Sequence, residues 1–411
     1  MLKRYLSEDS GFMLQIFYLY MALALFGRKY VTFPLILLAG WLCYQLFRLI
    51  RQRRQSAPGQ VWQHIRFISI LALVAAYLLV NMLSTVQNQG DSSAWDGWEK
   101  SVTWLFCLLL GGCFALYYPQ RKIYAGFVYW QSAILLIFSL LSLGTHWELF
   151  AFPILGVMDY KTKKDAFFMM FVLAVYVNSF HPQADRRQRA VNWLALLLGL
   201  IAIASMGTSR LWIPVLGGGI LLAAWCGRSR GLAWMPAVIA AAVLAGLLLR
   251  PDLLQRLTTI TMADPLFWRL KVLNYRDIVW QLSLLAFSAK PWLGIGPGNF
   301  MQTVEQIRQS IGLVDPSGQR YLHAHNIFWN PFVVCGVVGG LIHGLLMVQI
   351  VGFIAERFSQ PRTQRLALNL LMVWFVYWAY GLVEMAPAME EVIPFVWGAT
   401  GLLAFDKTDT A

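Results

Sequence analysis

Apolar runs of about 20 residues, the length that crosses a bilayer as a helix, succeed one another along the chain with short polar turns between them. They fall at Gly11–Phe26, Val31–Leu49, Phe67–Val86, Val102–Tyr118, Ile123–Leu143, Ala166–Phe180, Val191–Met206, Leu211–Cys226, Leu232–Leu249, Phe332–Ala355, Leu366–Val383 and Val392–Phe405. The pattern predicts about twelve transmembrane helices, the shortest of which need helix extension or local bilayer thinning to span. It is interrupted at length only over residues 250–331, whose polar body runs from Pro265 to Asn330. The expected architecture is all-α: one polytopic membrane domain over residues 1–411, with one long helix-containing loop inside it.

The loop has its own punctuation. Asp264 can cap a helix, Pro265 suits the first helical position and Pro291 ends it. Trp268, Val272, Tyr275, Val279 and Leu282 recur at helical spacing. Arg269 and Arg276 lie on nearly one side of that helix, while Asp277 and Lys290 read as solvated. The cluster Gly294-Ile295-Gly296-Pro297-Gly298 matches neither the dinucleotide fingerprint nor the nucleotide phosphate loop. It reads as a turn that lets the chain double back, with backbone amides that remain candidates for touching an anion. Asn330-Pro331 has the form of a cap followed by a first helical residue, which places His323 and His325 just outside the next span.

Composition agrees with the pattern. A chain that is 58% hydrophobic and 13% charged, with a mean hydropathy of +0.57, is too apolar for a soluble globule of its size. The net charge of +13 does not indicate nucleic-acid binding, because the basic residues sit at span ends. Their distribution sets orientation instead. The loop carrying Arg48, Arg51, Arg53, Arg54 and Arg66 contains no acid and is expected in the cytoplasm. Alternation then puts Arg121-Lys122, Arg186-Arg187-Arg189, Arg228 with Arg230, and Arg357 with Arg362 and Arg365 on the same side. The acidic loops with Asp91, Asp96 and Glu99, and with Glu384, Glu390 and Glu391, fall outside. Arg28-Lys29 and the segment Asp159 to Asp165 run against the rule. Both termini are expected in the cytoplasm and Pro265–Asn330 on the outer face. The first apolar run is not followed by a small-residue cleavage site and is expected to be retained. The loop Gln87–Glu99, with Trp95 and Trp98, reads as an interfacial anchor, and His146–Asp165 as a segment lying along the outer surface. The five cysteines show neither paired nor metal-ligand spacing.

Arg210, between two apolar runs joined by a tight turn, either snorkels to the interface or has an anionic partner such as a phosphate. Arg269 and Arg276 form either a structural ion-pair face or an anion-binding one. His323 and His325, two apart, are not spaced to chelate one metal from a helix. An isolated histidine is commonly structural, but arginines on the same face favour a catalytic role here. Cations beside a titratable imidazole are the parts needed to hold an anionic leaving group and to deprotonate an attacking hydroxyl.

In order, these residues are Ser209-Arg210, Arg276-Asp277-Ile278-Val279-Trp280, Gly294 to Phe300, and His325-Asn326 followed by Gly336-Val337-Val338-Gly339. Together they resemble the O-antigen ligase family, whose pattern joins such arginines to H-[NSQ]-x9-G-x-x-G. The resemblance covers about Ser205 to Gly340. It implies transfer of a glycan from a polyprenyl diphosphate carrier to the lipid A-core acceptor in a bacterial inner membrane, without cofactor, metal ion or nucleotide sugar. It implies that Arg210 and Arg276 engage the diphosphate and that His325 is the general base. Arg269 and His323 are further substrate-binding candidates. Its superfamily also contains polymerases, which use a second lipid-linked glycan as acceptor. A lipid-linked glycan transporter is the alternative from another class, which charges inside the spans would favour and which few such charges disfavour. No acidic residue stands beside His325 in the sequence, so what orients its imidazole stays open.

Overall fold

The structure, a computed structural model, describes residues 11–24, 28–53, 65–88, 92–146, 161–179, 186–206, 217–220, 222, 276–313, 321–382 and 392–405. The named helices are α1 (Phe12–Ala24), α2 (Arg28–Arg53), α3 (Ile65–Gln87), α4 (Ser92–Tyr117), α5 (Gln120–His146), α6 (Lys161–Ser179), α7 (Arg186–Met206), α8 (Arg276–Ala289), α9 (Phe300–Ser310), α10 (Asn330–Phe358), α11 (Gln364–Gly381) and α12 (Ile393–Leu402). There is no strand among the described residues. Among the described residues, three helices are long and apolar enough to cross a membrane by themselves: α3, α5 over Gln120–Gly144, and α10. Shorter apolar helices are α1, α12 and the stretches Pro34–Arg48 of α2, Ser101–Tyr117 of α4 and Phe168–Ser179 of α6. The expected spans Leu211–Cys226 and Leu232–Leu249 lie outside the described residues except at 217–220 and 222. The Gln87–Glu99 stretch is already helical from Ser92, and α6 starts at Lys161, so helix reaches into two segments expected to be surface loops.

An all-helical answer is what lipid demands, because a helix satisfies its backbone hydrogen bonds within one segment. On α10, Val338, Leu341, Leu345, Val348 and Val351 are exposed apolar residues, as on a lipid-facing stripe, while Val334, Leu346, Ile350 and Phe353 are buried. Between helices, small residues permit close approach. A Cβ on Gly111 of α4 would lie 2.3 Å from the Gly398 carbonyl oxygen of α12, and one on Gly401 would lie 2.4 Å from that of Leu108. Aromatic rings fill the space beyond. Tyr77, Trp104 and Trp397 stack in sequence, with centroids 5.8 and 4.8 Å apart, and Trp374 meets Trp397 edge-on at 5.3 Å.

A buried amide network ties α5, α6 and α11 together. Gln131 and Asn369 exchange hydrogen bonds of 2.9 and 2.8 Å. Asn178 donates to Gln131 at 3.0 Å, and its own Oδ1 accepts from Asn369 at 3.0 Å and from the Tyr124 hydroxyl at 3.1 Å. All three amide side chains are buried. In hydrocarbon an orphaned amide costs more than the net worth of its bonds. Asn369→Leu strands groups on two partners, so it is expected to destabilise the folded protein by about 2 kcal/mol. A thermal melt of the purified protein in detergent reads this as a drop of several degrees, with Asn369→Gln milder.

The two ends of the bundle differ chemically. At one, Arg66 pairs with Glu356 at 2.8 Å. There too, Gln120 donates to the Leu402 and Phe405 carbonyls at 2.9 and 2.6 Å, and Arg357 to Ala404 at 2.6 Å. These side chains satisfy carbonyls at and just beyond the end of α12, which have no intrahelical donor. This end carries Arg66, Arg121, Lys122, Arg357, Arg362 and Arg365, which the charge pattern assigns to the cytoplasm. The opposite end gathers the C-termini of α3 and α11, the segment 290–299 and the start of α10.

Candidate functional site at the polar end of the bundle

The glycine turn and α10 are spliced through their backbones. Gly336 lies inside α10 with φ 68° and ψ −169°, a region open essentially only to glycine. The break removes the bonds that Val337 and Val338 N–H would make to the Val333 and Val334 carbonyls four residues earlier. The turn supplies replacements on both sides. Ile295 N–H donates to Val333 O and Gly296 N–H to Val334 O, both at 3.0 Å, while Val337 N–H donates to Pro291 O at 2.7 Å and Val338 N–H to Trp292 O at 3.5 Å. Each side can come this close because of a glycine. A Cβ on Gly336 would stand 2.1 Å from Trp292 O, and one on Gly294 would stand 2.4 Å from Val334 C and O. The turn therefore does let the chain double back. Three of its amides are spent within the protein: those of Gly294, Ile295 and Gly296 donate to the backbone carbonyls of Lys290, Val333 and Val334.

The end of α3 staples this splice. Ser84 Oγ lies 2.5 Å from Leu293 O and 3.0 Å from Val334 O. Asn88 donates to Gly294 O at 3.2 Å and accepts from Lys290 Nζ at 2.5 Å. Asn81 Oδ1 accepts from the Cys335 thiol at 3.1 Å. Sequence reasoning missed this role, although a signal was present: Asn81, Ser84, Thr85 and Asn88 form a polar stripe at helical spacing on an apolar span.

Upstream of α10, the His323-Ala324-His325-Asn326 segment is a tight turn. His325 has φ 48° and is the non-glycine residue with positive φ among the described residues. Such a conformation costs about 1–3 kcal/mol and persists where surrounding bonds over-determine it. Ala324 O accepts from Trp280 Nε1 of α8 at 3.0 Å, and Ala324 N–H donates to Asn330 Oδ1 at 3.1 Å. His325 N–H donates to His323 Nδ1 at 3.3 Å, and the two imidazole rings lie 4.3 Å apart. Asn326 Oδ1 accepts from Phe328 and Trp329 N–H at 2.9 and 2.8 Å, and its Nδ2 donates to Leu382 O at 3.1 Å. Ile327 N–H donates to Gly381 O at 2.7 Å. The capping expectation is thus corrected. Pro331 is in the first turn of α10, but Asn330 is already helical and spends its side chain on Ala324, and the asparagine that satisfies local amides is Asn326.

Arg276 opens α8, one turn before Trp280 and on the same face. Because Trp280 bonds the histidine turn, that face of α8 is the one turned to it. Val279 and Leu282 are buried and the helix ends at Ala289, ahead of Pro291, as the spacing predicts. The expected cap Asp264, together with Arg210 and Arg269, lies outside the described residues. The structure thus brings Arg276, His323 and His325 to one end of the bundle. No group of three or more His, Cys, Asp or Glu side chains that could hold a metal ion occurs among the described residues.

Fold and site together define an all-helical membrane protein with an arginine-bearing helix and a strained histidine turn at one end. Residues 193–344 match the family model described as O-antigen ligase. The match bears out the resemblance to that family, and it spans Arg210, Arg269, Arg276, the glycine turn, both histidines and Gly336-Val337-Val338-Gly339. It covers less than half of the chain and supports, in general terms, an O-antigen ligase or polymerase-type function. No curated protein matches the chain.

Proposed function

We propose that the protein is an O-antigen ligase, transferring a glycan from a polyprenyl diphosphate carrier to a sugar hydroxyl of the lipid A-core oligosaccharide on the periplasmic face of the inner membrane. The observation that carries this reading is the His325 turn. It is a non-glycine residue held at positive φ by bonds from α8, α10 and the end of α11, beside the helix that opens with Arg276. Strain that is over-determined in this way marks sites where an atom must be in one place.

In the reaction, the acceptor hydroxyl oxygen bonds to the anomeric carbon as the bond from that carbon to the phosphate oxygen breaks. Polyprenyl diphosphate leaves with the electron pair, and the hydroxyl proton passes to the His325 imidazole. Arg276 and Arg210, whose planar forks match phosphate oxygens, stabilise the charge that grows on the leaving group. Arg269 and His323 are secondary candidates for substrate contact. A single displacement inverts the anomeric centre, and neither a cofactor nor a metal ion has a step. About twelve spans with both termini in the cytoplasm would put this end of the bundle on the outer face, as the loop charges require.

The test is the lipid-linked pool in a strain that has lost the protein. Full-length glycan accumulating on the carrier over an unmodified core supports the ligase. Accumulation of single repeat units, with cores capped by one unit, would assign the protein to the polymerases, which use a second lipid-linked glycan as acceptor.

A further inference from the structure

The backbone at His325 is held by a bond that reaches it from another helix. The peptide unit that joins Ala324 to His325 is held at both of its polar atoms. Its carbonyl oxygen accepts the Trp280 indole N–H at 3.0 Å, and its N–H donates to His323 Nδ1 at 3.3 Å. Rotation at the His325 N–Cα bond is measured from this peptide plane, so φ stays at 48° only while the plane is held on one side and the Asn326 and Ile327 bonds to the end of α11 hold the chain on the other. The bond to His323 is local. The bond from Trp280 crosses from α8, where Arg276 sits one turn earlier on the same face.

We propose that Trp280 is a positioning residue for the transfer reaction: its indole N–H, by holding the Ala324 carbonyl, fixes the His325 imidazole relative to Arg276. This rests on the reading of His325 as the base. An indole can only donate, and it does so from a rigid bicyclic ring, so it sets both the distance and the direction of the carbonyl it holds. Without that donor the Ala324–His325 peptide can rotate and relieve the strain at His325. A displacement of about 1 Å in a reacting group costs on the order of 100-fold in rate. The same arrangement gives His323 a support role. Its Nδ1 accepts from the His325 backbone N–H.

The experiment uses full-length protein in liposomes and measures kcat and donor KM for Trp280→Phe and for benzothienylalanine incorporated at position 280. The latter keeps the bicyclic shape and replaces the N–H by sulfur. Both changes are also made in the His325→Ala background. In the wild-type background each is expected to lower kcat about 10- to 100-fold, with donor KM changed by no more than about twofold. In the His325→Ala background each is expected to add no more than about a further twofold loss, because both act through one group. Full turnover by the sulfur analogue would overturn the proposal, since packing would then suffice. So would a further tenfold loss on top of His325→Ala. Normal transfer by His325→Ala alone would overturn the base assignment itself, a result distinct from either of these.

Discussion

His325→Ala is expected to bind the lipid-linked donor as the wild type does while losing transfer by about 10²- to 10⁴-fold, the usual worth of a general base. The imidazole sits on a turn whose backbone is pinned by Trp280, Asn330 and Leu382 through atoms other than the His325 side chain. Truncating that side chain should therefore leave the fold intact. Alanine tolerates positive φ less well than histidine, whose frequency there is several-fold enriched, so His325→Asn is the companion variant. Asparagine visits that conformation readily and supplies no base. Both should fall in kcat together. Donor binding is followed by retention of labelled lipid-linked glycan on the purified protein, and transfer by formation of core-linked product. If His325→Asn transferred at a normal rate, the base would have to be sought elsewhere, with His323 next to be tested.

Gly336→Ala is expected to prevent the protein from accumulating in folded form. A Cβ at this position would lie 2.1 Å from Trp292 O and 2.5 Å from Leu293 N, both backbone atoms. The φ and ψ of 68° and −169° exclude other residues even without a neighbour. Escape would require the glycine turn to leave α10, which would strand four backbone hydrogen bonds at once. A loss well above 4 kcal/mol follows from a backbone clash combined with orphaned backbone groups. Gly294→Ala should behave alike, with φ 71° and a Cβ 2.4 Å from Val334 C. Gly344 in the same helix is the control, because a Cβ there meets nothing within 4 Å. Gly344→Ala should be neutral or stabilise slightly, as alanine for glycine does in an unstrained helix. Membrane yield and a monodisperse elution profile in detergent separate the three variants. Folded Gly336→Ala protein at wild-type yield would show that the splice is dispensable.

Local signals carried far in this sequence. The polar island between Pro265 and Asn330 marks the end of the bundle where the histidines and Arg276 lie, and Pro291 announces the end of α8 at Ala289. The glycine turn is legible because each glycine is a local statement about backbone freedom. Its partner is not, since the carbonyls of Val333 and Val334 become available only through a helix break at Gly336 that the apolar pattern of α10 conceals. Nor is the stapling by Ser84 and Asn88, which act across more than 200 residues of chain. The polar stripe they form says that one face of α3 meets something polar, but not what. Asn330 and Asn326 show the other limit. Both are asparagines close to a helix start, and which one satisfies local amides depends on where the tertiary fold puts Ala324, whose N–H donates to Asn330 while its carbonyl accepts from Trp280. Arg210 and Arg269 keep the roles that the resemblance implies as proposals, for they lie outside the described residues.

The central claim is that arginines hold the diphosphate while His325 takes the proton, and it is tested most directly by measuring donor binding and transfer on the same preparations of Arg210→Lys, Arg276→Lys and His325→Ala. Lysine keeps the charge and loses the planar fork that grips two phosphate oxygens. The two arginine variants are predicted to lose donor affinity, by about tenfold or more for a forked charged contact, and to lose transfer with it. His325→Ala is predicted to lose transfer alone. Donor affinity unchanged in both lysine variants, or transfer retained in His325→Ala, would contradict the account.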